Sequence, residues 1–506
     1  MSRPALVIGL SLALALGVFL VRERQLAGGS GFPLDDAWIH FHFARNLAEG
    51  QGFVYNPGVH VPGSTAPLWT LLLGGTFALA GSEPLLAKTL GGVAALLTAL
   101  LAGVLARRVT GHEGLGLLAG VLTALAGPLA WGALSGMEVS LAALLVAGGL
   151  LAHSMGRDGA AAALLALAVL ARPESVLLLP LVWAAGRLTP RRSMVFAVTA
   201  GLMLAPWVAF NLVTTDLPLP ATAAAKIEGG LIGYLAGSRE PLATALAARP
   251  FRFLVEWVSW LASVNVLLPV LLPAGFWFLW ERGGRAAVLP AAVLAAHPVG
   301  MALLAPYRGP GFQEGRYSIH LLPLAIVVAV SALGLLRGRF VVQARGAMAI
   351  LLVGASLWII WPAASRYGWA VQNINAMQVA TGRWIAGHTP PEARVALNDV
   401  GAIAFVSRRE VVDVMGLVTP SIIPYRKEGE PGVLRYLART CPDYLVIFPA
   451  WFPRISSMTA EFTPLHRVRL EHNTVAGADE MVVFATPWNR WGAAPRPCGT
   501  LAGPPA

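Results

Sequence analysis

The chain has 506 residues, 56% of them apolar and only 12% charged, with a mean hydropathy of +0.65. Soluble domains carry about 25% charge, so this composition excludes an ordinary soluble protein and requires burial of apolar residues in lipid as well as in the protein's own core. With 54 Gly, 37 Pro and no short-period repeat, collagen-like, coiled-coil and disordered chains are excluded too. The net charge of +11 is spread over segments between apolar runs, where it sets membrane orientation. No basic stripe interleaved with aromatics marks a nucleic-acid face.

Residues 4–21 form an apolar run of bilayer-spanning length. Arg22, Glu23 and Arg24 follow it in place of a small-residue cleavage site, so the run reads as a first transmembrane helix rather than a removed signal peptide. Further apolar stretches lie near 67–80, 85–106, 115–131, 137–152, 160–171, 174–186, 194–213, 253–280, 286–305, 319–336 and 345–362. Between them Arg clusters at Arg107/Arg108, Arg187/Arg191/Arg192, Arg282/Arg285 and Arg337/Arg339/Arg345, and short Arg-bearing loops belong on the cytoplasmic side. With the N-terminus inside, only one full crossing fits between residue 22 and Arg107. Residues 85–106 are long enough for it; 67–80 falls short of the roughly 20 residues a span needs and is expected along the interface or re-entering. The expected fold is a polytopic α-helical membrane protein of about 11 transmembrane helices. Arg22 and Arg24 are mild exceptions on its outer side.

This scheme divides the chain into a transmembrane domain, 1–364, with a long first outer loop, 22–66, and an exported C-terminal domain, 365–506. Charge supports the division, since 25 of the last 142 residues are charged against 38 of the first 364. In the tail an amphipathic 372–387, RVALNDV, helix-like GAIAFVS, EVVDVMG, helix-like 430–440, YLVIFP and MVVFAT alternate helical and strand patterns, which predicts a small α/β layer structure. The Gly- and Pro-rich last residues are expected to fray. Cys441 and Cys498 both fall in this domain, where an oxidising compartment permits a disulfide; two free thiols are the alternative. No Cys/His array has zinc spacing, and His40 and His42 on a helix point about 200° apart, so no metal site is expected.

Ionisable groups at a bilayer are expensive and therefore functional candidates. The first outer loop is rich in them: Asp35 and Asp36 stand just before an aromatic, amphipathic helix, and the loop closes in a Gly/Pro turn. Capping explains one of the two acids but does not require both. Arg172 and Glu174 flank Pro173 between two short apolar pieces and are expected to form a structural ion pair. Glu138 follows a Gly-Met turn on the outer side, as a cavity-lining group or a helix-start carboxylate. The chain has three lysines, Lys88, Lys226 and Lys427, so Lys226 stands out in its outer loop; an interface anchor is the plainer role for it and for Arg316.

The block Asp35-Asp36-Ala37-Trp38-Ile39, Ala44-Arg45-Asn46-Leu47, Gly50, Gly52, Tyr55-Asn56-Pro57-Gly58, Thr65 and Pro67-Leu68-Trp69 resembles the first loop of bacterial GT-C membrane glycosyltransferases. It is most similar to the mycobacterial terminal arabinofuranosyltransferase family, which uses a decaprenyl-phosphate arabinose donor. Ser135-Gly136-Met137-Glu138, Ala171-Arg172-Pro173-Glu174, Leu219-Pro220-Ala221-Thr222 with Lys226, Gly315-Arg316-Tyr317, Asn398-Asp399-Val400-Gly401-Ala402 and Pro442-Asp443-Tyr444 continue the resemblance in order.

The resemblance implies a multi-pass protein of the bacterial plasma membrane, N-terminus cytoplasmic, that moves a sugar from a polyprenyl phosphate to an acceptor hydroxyl of a glycan, lipid or protein at the outer face, with inversion and without a cofactor. Such chemistry needs a base opposite the leaving group and cations on the departing phosphate. By position Asp35 is the expected base and Asp36 its partner, with exchange of the two roles open. Lys226 and Arg316 are the expected phosphate clamp. Arg45, Asn56, Thr65, Trp69, Glu138 and Tyr317 are expected to contact substrate. The alternative is a polytopic lipid or solute transporter, which favours a midplane site on broken helices and related halves over charge gathered in one outer loop.

Overall fold

The computed structural model describes residues 3–186, 189–216, 218, 229–235, 240–283, 288–304 and 308–500. In lipid a chain must satisfy its backbone hydrogen bonds within each segment, and the apolar stretches are accordingly helices. Among the described residues, four are long and apolar enough to cross a membrane by themselves: Arg3–Ala27, Pro84–Thr110, Pro190–Thr215 and Val341–His388. Counting each of two bent pairs as one span makes six, and the remaining apolar helices have 10–17 residues.

The bends correct two stretches read as continuous. Residues 115–131 divide into Glu113–Ala124 and Gly127–Leu134, inclined at 53°, where Pro128 enters the second helix at its first turn. Residues 253–280 divide at Asn265 into Arg249–Val264 and Leu267–Gly283, with a 107° bend. The Asn265 amide donates to Leu352 O (2.8 Å) and Ser356 Oγ (3.0 Å), and its carbonyl accepts from the Leu267 N–H (3.1 Å). One polar residue thus starts the second helix and pins the break to Val341–Ile374. The expected boundary at 364/365 lies inside that helix, which continues through a wide turn at Asn375–Val379 into Ala380–His388.

Small residues let the helices approach closely, as between membrane helices generally. A Cβ on Gly91 would lie 2.1 Å from Ala133 O, and one on Gly275 would lie 1.9 Å from Val328 O. Four of the arginine clusters meet at one end of the bundle. Arg108 donates to Ser154 O (2.9 Å), Arg192 to Asp158 (2.5 Å) and Arg282 to Thr110 O (2.5 Å), while Arg337 pairs with Glu281 (3.6 Å). The other end of Pro84–Thr110 carries Lys88, which is buried on Glu23 (2.5 Å) and bonded to Ser30 at the start of the first loop (2.9 Å). Arg22 is held at that same end by Ser365 (3.0 Å) beneath the Trp361 ring.

The C-terminal region is an α/β layer with five strands, β1 (Arg394–Leu397), β2 (Glu410–Asp413), β3 (Tyr444–Ile447), β4 (Thr463–Arg469) and β5 (Glu480–Ala485), in the order β2-β1-β3-β5-β4. β1 is parallel to β2 and β3; β5 runs antiparallel to β3 and β4. The apolar strands are those legible from the sequence. β4, an edge strand of mostly exposed residues, TPLHRVR, is not, because an edge needs no apolar run. The expected fraying stops short of residue 500: Cys441 and Cys498 are joined, with Cα atoms 5.7 Å apart, and Trp488 Nε1 donates to Thr500 O (3.1 Å).

Candidate active site

Helix Asp36–Ala48 buries one residue after another, because it lies between the apolar helix Pro67–Ala80 and the C-terminal domain. Phe41 packs on Phe77 (4.9 Å) and Phe405 (5.8 Å), and Trp38 on Phe405 (5.2 Å). This sandwich sets its N-terminus, and with it Asp35 and Asp36, against the carboxyl ends of the parallel strands.

Asp35 stands at the cap position yet makes no side-chain bond to its own helix. Both its oxygens accept from backbone N–H groups of the other domain, Oδ2 from Gly401 and Oδ1 from Ala402, each at 2.7 Å. The capping role read from the sequence is therefore replaced by an interdomain one. A Cβ on Gly401 would lie 2.0 Å from Asp35 O, so only glycine permits this approach. In the order β2-β1-β3 the chain reverses direction across the sheet at β1, the crevice in which open α/β sheets receive ligands. Here the first loop fills it. Asp399, from the same crevice, holds Gln378 (2.7 Å) and lies near Asp35. Burial and then the neighbouring Asp399 charge raise the Asp35 pKa well above the ordinary carboxylate range. Asp399 is raised as well, by burial first and by Asp36.

Asp36 turns the other way and accepts from Arg316 Nη1 (2.8 Å). Arg316 is buried, and its Nη2 donates to the Tyr317 hydroxyl (2.8 Å). It follows three successive residues in the left-handed region, Gln313 (φ 48°), Glu314 (φ 60°) and Gly315 (φ 76°). Two of these are not glycine and cost energy there, which the surroundings must offset. Arg366 clamps the Glu314 carboxylate at 2.6 and 2.9 Å, and Trp260 Nε1 donates to Glu314 O (3.1 Å). The strained loop is held from both sides, and it aims Arg316.

The Tyr317 ring lies between two guanidinium carbons, Arg316 at 4.8 Å and Arg172 at 4.9 Å. Arg172 is hydrogen-bonded to the buried Glu138 carboxylate. Glu138 also meets His40 Nε2 (3.4 Å), whose Nδ1 bonds Ser64 Oγ (2.9 Å). The expected Arg172–Glu174 pair is present at 3.4 Å, but Glu138 is the tighter partner, from a helix 34 residues away in sequence. Around this chain of charges Arg172 Nε and Glu174 Oε2 face each other as the 3.4 Å ion pair, while the buried atoms Arg316 Nε and Gln313 Oε1 have no hydrogen-bond partner. Such groups are rare in folded interiors, and these two stand three residues apart on the loop that carries Arg316.

Several expected substrate contacts are engaged otherwise. Arg45 donates to Phe405 O (2.6 Å) and stacks on the Phe405 ring (4.6 Å). Asn56 pairs both its amide atoms with the backbone of Val411 on β2, at 2.8 and 3.0 Å. Both side chains dock the first loop on the C-terminal domain. Trp69 is buried, with Nε1 on Gly136 O (2.9 Å), and anchors the turn before Glu138. Thr65 is half-buried at the start of Pro67–Ala80. Lys226 lies outside the described residues. Asp399, His40 and Ser64 join the site without having been expected there. Among the described residues, no cluster of three or more His, Cys, Asp or Glu has metal-holding geometry.

Residues 370–487 match the model of a domain of unknown function, DUF8728. Over 384 residues the chain is 30% identical to a terminal β-(1→2)-arabinofuranosyltransferase of Mycobacterium tuberculosis, covering 65% of this chain and 58% of that protein. The chain thus spans under two thirds of that relative's length. Among solved structures, ArnT from Cupriavidus metallidurans bound to undecaprenyl phosphate superposes with a TM-score of 0.56 at 15% identity, covering 96% of this chain and 98% of that one. The oligosaccharyltransferase AglB from Archaeoglobus fulgidus, in complex with an inhibitory peptide and a dolichol-phosphate, gives 0.55 at 13% identity, covering 86% and 68%. Identities this low speak for the fold alone. The chain has the GT-C fold, and in sequence it is similar to a mycobacterial arabinofuranosyltransferase, as its first-loop motif suggested.

Proposed function

We propose that the protein is a GT-C glycosyltransferase of the plasma membrane that transfers a sugar from a polyprenyl phosphate to an acceptor hydroxyl at the outer face, with inversion at the anomeric carbon. The observation that supports this best is the convergence of Asp35, Asp36 and Arg316–Tyr317, drawn from sites 280 residues apart, where Arg316 Nε and Gln313 Oε1 are buried without a partner. The likeness to a named arabinofuranosyltransferase, and to folds that hold undecaprenyl phosphate or dolichol-phosphate, supports the substrate class.

The geometry supports a role for each residue. Arg316 offers a fixed cation to the phosphate as its negative charge grows in the transition state, where such help lowers the barrier more than it tightens the ground state. Asp36 is bonded to Arg316, which supports assigning it to the phosphate side, as the group that orients that guanidinium. Inversion needs the base on the opposite face of the sugar, which leaves the task to Asp35. Each of its oxygens keeps a lone pair after accepting one N–H, and its raised pKa makes it a stronger proton acceptor than an ordinary carboxylate.

The test is a panel of polyprenyl-phosphate sugars offered to the purified full chain, with mass detection of released lipid phosphate. One donor is expected to be consumed, and Arg316→Ala should cost about 2 kcal/mol or more of transition-state stabilisation. No turnover on any donor, or an Arg316→Ala variant at wild-type rate, would overturn the reading.

A further inference from the structure

Beside the catalytic cluster, and separated from it by one aromatic ring, lies a groove that the mechanism does not use. It is a cavity of about 460 Å³ lined by Arg252, Glu256, Ser259 and Trp260 on one wall and by Arg308 and Phe312 on the other. Phe312 is the partition: the Arg308 guanidinium lies 5.2 Å from its ring centre and that of Arg316 lies 5.9 Å away.

The helix that forms the first wall, Arg249–Val264, has three distinct faces. Phe253, Trp257, Trp260, Leu261 and Val264 are buried. Phe251, Leu254, Val255 and Val258 are large apolar side chains left exposed. Arg252, Glu256, Ser259 and Ser263, spaced four, three and four residues apart, form a polar stripe along the groove. An amphipathic helix of this kind lies in the plane of the bilayer interface, with its apolar side in the acyl chains and its cations at headgroup level. The 107° turn into Leu267–Gly283 is the geometry by which a chain passes from lying along the surface to crossing it. The second wall is seated firmly: Glu256 Oε1 accepts from the Gly311 N–H (2.9 Å), and a Cβ on Gly309 would fall 1.8 Å from Glu256 Oε2. The groove therefore joins a lipid-facing flank, two guanidinium groups that line it and an aromatic partition, and it ends against Arg316.

We infer that this groove is a second, lateral binding site for a lipid with a terminal phosphate, whose headgroup meets Arg252 and Arg308 before or after it occupies Arg316. The inference rests on the reading of Arg316 as the phosphate clamp. Guanidinium forks match phosphate oxygens, and the exposed apolar flank receives the chain of a lipid where a free phosphate has nothing to place.

Native mass spectrometry of the detergent-solubilised full chain with undecaprenyl phosphate tests it. Wild type is expected to bind two lipids, R252E/R308E one and Arg316→Ala one. Ser259→Trp, which fills the groove without removing charge, should also bind one. Millimolar inorganic phosphate should leave both lipids bound. If R252E/R308E and Ser259→Trp still bind as many lipids as wild type, the groove is not a lipid site; if inorganic phosphate empties it, the site takes the free ion and the lipid assignment fails. Should Arg316→Ala keep two lipids while R252E/R308E keeps one, the groove stands and the clamp reading falls.

Discussion

Asp35 and Asp36 adjoin in the chain but answer to different parts of the molecule, Asp35 to the amides of Gly401 and Ala402 and Asp36 to Arg316. This changes what a substitution reports. Asparagine offers one carbonyl and an NH2 group that cannot accept, so Asp35→Asn loses one of the two amide bonds along with the charge. Base and latch are separated by comparing it with Gly401→Ala, which disturbs the docking and leaves the carboxylate. Turnover by Asp35→Asn should fall roughly 10²-fold or more, well beyond Gly401→Ala, at a similar loss of thermal stability. Equal losses in both variants would make Asp35 a latch only. The pH dependence has a definite sign. Asp35 and Asp399 bind their protons more tightly in the folded chain than in the unfolded one, so the stability linked to them is present at acid pH and is lost as pH rises from the ordinary carboxylate range through their raised values. With Asp35 as the proposed base, activity should need the anion and run the other way, falling as the pH drops below the raised Asp35 value. Asp399→Asn removes a like charge and should shift the acid limb of kcat to lower pH; an unmoved limb would deny the coupling.

Among the elements, the loop Gly311–Gly315 and the Glu138–Arg172 pair are the most exposed to a single change. A Cβ on Gly315 would lie 2.2 Å from the Trp260 indole, and the residue sits at φ 76°. Gly315→Ala is therefore expected to displace Arg316 and to depress donor turnover as far as Arg316→Ala does, with unchanged helical circular dichroism; a wild-type rate would show that the loop geometry is not needed. Glu138 and Arg172 neutralise each other inside the protein. Removing one leaves a buried charge alone, at about 3–5 kcal/mol, while removing both is far less harmful. Thermal unfolding should rank E138Q/R172M above either single variant, and additive losses would mean that the pair is not coupled.

At the scale of the whole molecule, the arginine clusters and the C-terminal domain occupy opposite ends of the bundle: Arg108, Arg192 and Arg282 are tied at one end, and Asp35 and Asn56 dock that domain at the other. The positive-inside rule therefore predicts an outside C-terminal domain. Cys441 and Cys498 are joined, so an impermeant thiol reagent should label intact cells only after mild reduction. Labelling that appears only after lysis would reverse the orientation.

The apolar stretches, the α/β alternation of the tail and the acidic first loop were legible in the residues, because hydrophobic length and period are local properties. So was the family likeness, through the order of short motifs along the chain. Long-range pairing was not. That Arg172 chooses Glu138, that Asp35 closes the crevice at β1, that Asn265 breaks an apolar run, and that Asp399 stands beside Asp35 depend on which helices pack together. A side chain's partner is decided in space by close packing and by the demand that buried polar groups be matched, and no local pattern records either.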